Sequence, residues 1–479
     1  MHQSARDELK GIFLAVRIFN HYVPIRVMLL AIADVVLLVL AALIGSVLRF
    51  GGDSSTLLAD YPHIVRQAFM FGAVMFLAMF AVGLYQGRIS LKLRIYASRV
   101  AVALGMGAVS LAALYYVVGA PQLGRGMFLP ALGIAFILVI GSRLVFRHFV
   151  GDEFFHRRVA VIGTGRRAAQ LLDLKSEGET AGFHVVAFID ANCTERHVGE
   201  RGWVVRPERL LDFLREQQCD EIVVAVDDRR RNLPMHDLLE CRLHGFPILD
   251  VAAFIERETG KVSVDMLYPS WFIFSEHSGR DFLRSTVRRT FDILASLALL
   301  VIAAPVMALA ALAIWVQSGL RGPIFYRQVR VGLDGKLFWL FKFRTMVPDA
   351  ESETGACWCE EDDPRITCVG RVLRTFRIDE LPQVINVLKG EMAFVGPRPE
   401  RPEFVGQLCE KIPYFRERHM VKPGITGWAQ LCYPYGASEA DAREKLQYDL
   451  YYVKNQSLLF DIAILLQTAE VVLWRKGGR

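Results

Sequence analysis

The sequence predicts a multidomain membrane α/β protein: a four-helix transmembrane region, a Rossmann-like doubly wound module, and a C-terminal α/β domain carrying a proline-broken re-entrant membrane helix. Three observations predict it. Four long apolar runs crowd into the first 150 residues, a strand, glycine turn, helix and strand follow, and a fifth apolar run containing Pro305 precedes a cluster of carboxylates, cations and rigid turns. With 479 residues, 53% of them hydrophobic, and a mean hydropathy of +0.30, the chain is too long for one ordinary domain and too apolar for a purely soluble protein.

The first region, residues 1–150, holds the runs Val27 to Leu48, Ala68 to Tyr85, Val100 to Val118, and Met127 to Ile140 continuing past Arg143 toward Phe149. Each can cross, or nearly cross, a hydrocarbon core that needs about 20 helical residues. Buried helices of a soluble protein fit poorly, because four such runs lie in one segment. Arg143 is expected to snorkel to the interface. Asp34, inside the first run, is either a functional intramembrane acid or a partnered acid facing the bundle. Lys and Arg accumulate on the cytoplasmic side of short loops. Arg88, Lys92, Arg94 and Arg99 mark the second loop as cytoplasmic, Arg147, Arg157 and Arg158 mark the exit of the fourth helix likewise, and the third loop holds only Arg125. Both termini are therefore expected in the cytoplasm. Met1 to Pro24 carries charges throughout, so no cleavable signal peptide is read there.

All eight cysteines lie between Cys193 and Cys432, on the cytoplasmic side by the charge rule, and are expected as free thiols. Cys357, Cys359 and Cys368 have a spacing unusual for zinc and no nearby His. The net charge of +6 suits an anionic membrane surface and phosphorylated substrates. With no zinc-finger or RNP pattern, nucleic acid is not an expected partner.

Residues 151–275 form the middle module. Arg158-Val-Ala-Val-Ile-Gly-Thr-Gly-Arg-Arg-Ala-Ala reads as a buried strand, a glycine turn and a helix start; Phe183 to Asp190 reads as a second strand ending in an acid, and Glu221 to Asp227 as a third. Gly163 and Gly165 could bring a helix N-terminus against a pyrophosphate, with Asp190 on a ribose hydroxyl. The third glycine of that fingerprint is replaced by Ala168 or Ala169, and Arg166 and Arg167 enter the turn. Two readings stand: a bound nucleotide or nucleotide-sugar, or a module kept for regulation, assembly or scaffolding. No Tyr-x-x-x-Lys pair occurs in this region, so no redox cofactor is expected.

The third domain, residues 280–479, opens on an apolar run from Phe291 to Val316. Arg284, Arg288 and Arg289 precede it, Arg321, Arg327 and Arg330 follow it, and Pro305 sits within it, where it removes a helix hydrogen bond and bends the chain. Cations at both ends favour a hairpin over about 288–318 that enters and leaves on one face. A spanning helix would put the following polar cluster outside the cell, away from nucleotide-activated substrates.

That cluster reads as a phosphate site. Phe338-Trp-Leu-Phe-Lys-Phe-Arg-Thr-Met346 places Lys342 and Arg344 on one side of an alternating strand, where two cations can cradle a diphosphate. An edge strand with solvated charges is the plainer alternative. Asp379 and Glu380 are adjacent carboxylates suited to a divalent cation and a nucleophile, and Arg374 lies five residues earlier, close enough to join them across a turn. Leu381-Pro-Gln-Val-Ile-Asn-Val-Leu reads as a helix with proline in its first turn, which places the dyad at the positive end of the dipole and favours ionised carboxylates. Arg398, held between Pro397 and Pro399, suits phosphate.

Lys342-Phe-Arg-Thr-Met, Asp379-Glu-Leu-Pro-Gln, Gly396-Pro-Arg-Pro and Lys422-Pro-Gly-Ile-Thr-Gly-Trp-Ala-Gln430, in that order after a proline-broken helix, resemble the bacterial sugar transferases known as monotopic phosphoglycosyl transferases. The resemblance covers about Arg288 to Trp474. The helices and Rossmann-like module ahead of it look like the large subgroup that starts exopolysaccharide or O-antigen repeat units. One departure is Ala304-Pro305, where relatives often have Ser-Pro.

The resemblance implies transfer of a hexose 1-phosphate from a UDP-hexose, glucose or galactose by default, to undecaprenyl phosphate, with release of UMP. It also implies a bacterial inner-membrane location. Asp379 would attack the phosphorus nearest the sugar, forming a covalent phosphosugar enzyme. Mg2+ near Asp379 or Glu380 would neutralise the diphosphate. Glu380 would orient the metal or assist acceptor deprotonation, and Arg374, Lys342, Arg344 and Arg398 would neutralise phosphate. Thr426, Gln430 and Asp461 are further polar candidates, the last also readable as a helix-start carboxylate. A homodimer through the helices and middle module fits the same organisation. Two alternatives remain at this level: a membrane-bound nucleotide-sugar dehydratase or epimerase, and a nonenzymatic scaffold for polysaccharide assembly.

Overall fold

In the computed structural model, which describes residues 15–18, 21–49, 63–85, 93–118, 125–149, 157–177, 183–190, 197–199, 202–227, 233–267, 282–319, 322–347, 363–433, 436 and 438–473, each of the four N-terminal apolar runs forms a helix. These are α1 (Ile25–Arg49), α2 (Ile64–Ala81), α3 (Leu93–Val118) and α4 (Arg125–Phe149). All four are long and apolar enough to cross a membrane. Helix α1 packs on α2 and α4, and α3 on α2 and α4. Leu29, Ile32, Val36 and Leu40 of α1 face outward while Leu38, Ala41 and Ala42 are buried, as lipid on one side and helices on the other require.

Arg143 does not snorkel. It is buried and pairs with fully buried Asp34 at 2.6 Å, while Tyr85 Oη donates to the same carboxylate at 2.7 Å. The guanidinium also lies 5.5 Å from the ring centres of Tyr85 and Tyr96. An unpaired carboxylate in an apolar interior is costly, so Asp34 draws the arginine inward. Of the open alternatives for Asp34, the partnered acid is the one observed. Arg88 and Lys92 lie outside the described residues.

The middle module is built on a five-stranded parallel sheet in the order β3-β2-β1-β4-β5, from β1 (Arg157–Ile162), β2 (Phe183–Ile189), β3 (Val204–Val205), β4 (Glu221–Val224) and β5 (Ile248–Asp250). Helices α5 (Arg166–Glu177), α6 (Leu210–Glu216), α7 (Met235–Leu243) and α8 (Val251–Thr259) alternate with the strands. Ala160, Ile162, Ile222 and Val224 supply the core under α6 and α7, which is why the strands read as nearly continuous apolar runs. By internal contacts this module and the helices before it form one body, ending at Thr259.

The second body runs from Gly260 to the C-terminus. The stretch 260–267, which the sequence reading left with the middle module, joins it: Val262 and Val264 enter the same core as Val384, Leu450 and Tyr451, and Trp428 Nε1 donates to Gly260 O at 2.8 Å. Helix α9 spans Phe282–Gln317, 36 residues. Pro305 lies inside this single helical run, so the expected hairpin is not seen as two separate helices. One face of α9 is buried at Asp292, Ser296, Ala303, Ala310 and Ile314; Leu294, Val301, Ile302, Leu309, Leu312 and Val316 are exposed on the rest. The antiparallel hairpin β6 (Phe325–Val331) and β7 (Leu337–Phe343) follows, then α10 (Cys368–Thr375), a 3-10 turn at Ile378–Gln383, α11 (Val384–Lys389), β8 (Ala393–Val395) and α12 (Pro402–Lys411). After a second 3-10 segment, Phe415–Met420, come β9 (Gly424–Thr426), parallel to β8, then α13 (Trp428–Cys432), α14 (Glu439–Asn455) and α15 (Leu458–Leu473).

Candidate active site

The dyad is placed by a reversal of the chain. After α10 ends, Arg377 adopts φ 53° and ψ 24°, a left-handed conformation that costs a non-glycine residue about 1–2 kcal/mol. It starts the 3-10 turn with Asp379 and Glu380 facing inward, 8% and 9% exposed. The α-helix expected from Leu381 begins only at Val384, as α11, and the dyad sits in the 3-10 turn ahead of it.

Cations converge on these carboxylates. Lys342 Nζ and Arg398 Nη2 both donate to Glu380 Oε1, at 3.0 and 2.9 Å. Burial pushes the Glu380 carboxyl up, but Arg398, Lys342 and Arg377 together outweigh it and hold the group well below the ordinary glutamate range. Asp379 goes the other way. Burial is the largest influence and raises its pKa, Glu380 adds to the rise, and Lys342, Arg374 and Arg398 only partly offset it. The expectation that a helix dipole keeps both acids ionised is therefore corrected: neighbouring cations hold Glu380 ionised, while desolvation works against the Asp379 anion. Among the described residues, no side chain hydrogen-bonds the Asp379 carboxylate, whereas Glu380 has one oxygen doubly engaged.

Of the predicted cations, Lys342, Arg374 and Arg398 come together around the dyad. Arg374 Nε also donates to Thr345 Oγ1 at 3.0 Å, which fixes its stem. Arg344 takes a different place: its Nη2 bonds the Ser318 hydroxyl just past the end of α9, and its buried Nη1 has no partner among the described residues. The Thr426 hydroxyl is 2.8 Å from that of Thr468 on α15. Gln430 Nε2 is buried without a partner among the described residues.

The loop bearing Arg398 is held by backbone contact. Gly396 N donates to Thr426 O at 2.9 Å, and Gly424 N to Pro397 O at 3.0 Å. A Cβ on either Gly396 or Gly424 would strike the other strand's backbone, so the two glycine motifs are halves of one tight crossing. Asp461 lies beneath β8: the Tyr452 hydroxyl is 2.9 Å from Val395 O and 2.7 Å from Asp461 Oδ1, and Arg288 Nε donates to Asp461 Oδ2 at 2.8 Å. Burial pushes the Asp461 carboxyl up to about 6.

Sequence reasoning missed several residues. Fully buried Asn386 accepts from Phe341 N at 3.1 Å and donates to Trp339 O at 2.7 Å, pinning α11 to β7. Arg418 pairs with Asp449 at 2.7 Å, both nearly fully buried. An asparagine in a short apolar helix and an Arg–Asp pair 31 residues apart carry no periodic signal; only the cost of burying them alone points to partners.

Two adjacent carboxylates suit magnesium, which takes one or two protein carboxylates together with substrate phosphates and water. Among the described residues no group of three or more His, Cys, Asp or Glu side chains is placed to hold an ion. The substrate's own oxygens would have to complete the shell. Cys357 and Cys359 lie outside the described residues; Cys368 is an exposed free thiol at the start of α10.

In the middle module, Gly163 has φ +124° and lies against Ala225 O, so the turn needs glycine there. The helix-starting amides beyond it are occupied. Arg166 N donates to Asp227 Oδ2 at 3.0 Å and Arg167 N to Asp227 Oδ1 at 3.1 Å, and a side chain at Gly165 would collide with the same carboxylate. Asp190 directly follows β2, with its amide on Val205 O at 2.9 Å. A carboxylate of the chain itself thus stands where a pyrophosphate would be sought.

Comparison with known proteins agrees with the division into bodies. The family described as bacterial sugar transferase matches residues 283–475, and one described as CoA-binding domain matches 80–239. The UDP-N-acetylgalactosamine-undecaprenyl-phosphate N-acetylgalactosaminephosphotransferase of Aeromonas hydrophila is 39% identical over 242 residues, 50% of this chain and 56% of that protein. The undecaprenyl-phosphate galactose phosphotransferase of Salmonella typhimurium is 30% identical over 379 residues, 74% of this chain and 77% of that protein. The undecaprenyl-phosphate glucose phosphotransferase of Komagataeibacter xylinus is 31% identical over 363 residues, 72% of this chain and 66% of that protein. The alignment thus spans little more than half of the first of these proteins.

Proposed function

The chain belongs to the bacterial sugar transferase family, and from that premise we propose that it transfers a hexose 1-phosphate from a UDP-hexose to undecaprenyl phosphate, releasing UMP, through a phosphosugar ester on Asp379. One observation carries this reading: a buried Asp–Glu pair in which one acid is engaged by two cations and the other is left open. Glu380 holds Lys342 and Arg398 in place. Asp379, with no hydrogen bond among the described residues occupying its oxygens, is the nucleophile.

In the first displacement an Asp379 oxygen attacks the phosphorus bonded to the sugar. The bond from that phosphorus to the bridging oxygen breaks, and UMP leaves with the electron pair. In the second, a phosphate oxygen of the lipid attacks the same phosphorus, the bond to Asp379 breaks, and the carboxylate is restored as the diphosphate-linked lipid departs. Lys342, Arg374 and Arg398 offset the negative charge that gathers between donor and dyad, acting on two carboxylates that are themselves buried. Asp379 and the second oxygen of Glu380 are the groups that would hold magnesium, which when bound supplies further neutralisation of the diphosphate.

The disposition of α9 supports a site at one membrane face. If straight, 36 residues extend about 54 Å, well beyond a hydrocarbon core of about 30 Å. Its first half packs through Ala295, Leu299 and Leu300 on the main core, and its second half through Met307, Ala310 and Ile314 against Phe343 and Leu373 of the same body. Arg289 bonds the carbonyls of Val387 and Leu388 near one end, and Ser318 meets Arg344 at the other. A spanning helix would separate those contacts by a bilayer, and this supports the reading in which α9 lies in one leaflet with both ends on the cytoplasmic face of the inner membrane; the loop charges support cytoplasmic termini. The dehydratase or epimerase reading would need a dinucleotide on the glycine turn, whose amides are bonded to Asp227.

The test is incubation of the purified protein with UDP-glucose or UDP-galactose, undecaprenyl phosphate and magnesium. UMP release, with sugar phosphate trapped on the peptide containing Asp379 when lipid is withheld, supports the reading. Conversion of the UDP-sugar without UMP release, or no reaction with any UDP-hexose, overturns it.

A further inference from the structure

We infer that Arg418, anchored by Asp449, is a positioning residue for the transfer reaction: it fixes the backbone of Arg398 and thereby the guanidinium that meets Glu380. The inference rests on the function proposed above and concerns how that site is built.

Four successive carbonyls of the Arg398 loop are each taken by a donor from elsewhere in the body. Pro397 O accepts from Gly424 N, Arg398 O from Arg418 Nη2, Pro399 O from Arg330 Nη1 and Glu400 O from Val331 N, all at 3.0 Å. Pro397 and Pro399 have no amide hydrogen, so the loop cannot satisfy itself as a helix or hairpin. Its shape depends on outside donors. Of the two arginines among them, Arg418 is the better fixed: Nε and Nη2 both reach Asp449 Oδ2, at 3.0 and 2.7 Å, and its guanidinium carbon is 5.1 Å from the centre of the Phe415 ring. Its side chain is 5% exposed and that of Asp449 2%.

The contact chain then runs from Asp449 on α14, through Arg418 and the Arg398 carbonyl, to Glu380. The planar fork of arginine lets one group hold a carboxylate and a carbonyl together. Lysine keeps the charge but not the fork. Loss of this hold leaves Arg398 present yet free to leave Glu380, so the defect should appear as a loss of what Arg398 does.

A double-mutant cycle in the full-length purified enzyme tests this, with kcat/KM for the UDP-hexose as the readout. Arg398→Ala is expected to lose roughly 100-fold and Arg418→Lys roughly 10-fold, in keeping with lost contacts to charged groups. Arg398→Ala with Arg418→Lys should match Arg398→Ala within about twofold, since Arg418 acts through a side chain no longer there. The loss should divide between kcat and KM in the same way in both single variants, because both weaken the work of one side chain. A merely structural role would multiply the losses and give Arg418→Lys a kcat-against-KM split of its own. Where Arg418→Lys does not yield folded protein, Arg330→Lys, which loosens the neighbouring carbonyl, is read in the same cycle. Multiplied losses, or full activity in a folded Arg418→Lys enzyme, overturn the inference alone; a wild-type enzyme that turns over no UDP-hexose overturns both it and the function it rests on.

Discussion

The loop after β1 and the loop after β8 invite comparison. Each follows a parallel strand and contains glycine where backbones approach too closely for a Cβ. At the first, the positive start of α5 is matched by Asp227, a carboxylate supplied by the loop after β4. At the second, two prolines withhold amides, outside donors fill the carbonyls, and Arg398 is directed at Glu380. Similar local patterns therefore end in different states, one charge-balanced from within and one bringing a cation to Glu380 beside a carboxylate, Asp379, that no side chain among the described residues hydrogen-bonds. A glycine turn supplies shape; the side chain that arrives from elsewhere decides whether a ligand is needed.

The largest effect should come at the open carboxylate. Asp379→Asn should reduce UMP release by roughly 10⁴-fold or more and abolish the covalent sugar phosphate, with folding and membrane insertion unchanged; a variant that still forms the adduct would erase the distinction drawn between the two acids.

A smaller effect concerns the 3-10 segment that carries Arg418. Buried His419 is pushed down to about 4, first by burial and then by Arg418. Its folded pKa lies below the unfolded value of about 6.5, so its contribution is complete above that value and is lost as pH falls toward 4. The loss amounts to at most about 3 kcal/mol. His419→Gln should flatten the acid side of the stability profile, measured by denaturation midpoints between pH 7 and pH 4; an unchanged profile would show that another group sets acid lability there.

The smallest effect is expected at the self-capped turn. Asp227→Ala should cost about 1 kcal/mol, as loss of a helix cap does, and speed hydrogen exchange at the amides of Arg166 and Arg167. Transfer activity should stay within about twofold. A large loss of activity would instead tie the middle module to the chemistry and end the contrast between the two loops.

Much of the fold was legible locally. Apolar runs long enough for a bilayer give α1 to α4 and α9, and near-continuous apolar strands separated by glycine turns give the parallel sheet, because both patterns repeat within a few residues. The dyad, Lys342, Arg374 and Arg398 were legible as residue types in rigid settings. The partner of each was not. Arg344 shares the alternation of Lys342 but ends on Ser318, and Arg143 turns inward to an acid 109 positions away.

The sequence by itself determined where the membrane-seeking helices lie, which two adjacent acids form the candidate dyad, and which glycines the tight crossings require, since each depends on neighbours within a turn or a strand. Only the tertiary structure decided that, among the described residues, Glu380 is hydrogen-bonded by two cations while the Asp379 carboxylate is not hydrogen-bonded by any side chain, that Asp227 fills the glycine turn, and that Arg418 and Arg330 hold the Arg398 loop. Those outcomes depend on which polar groups are buried together, and burial makes an unmatched charge too costly to leave alone.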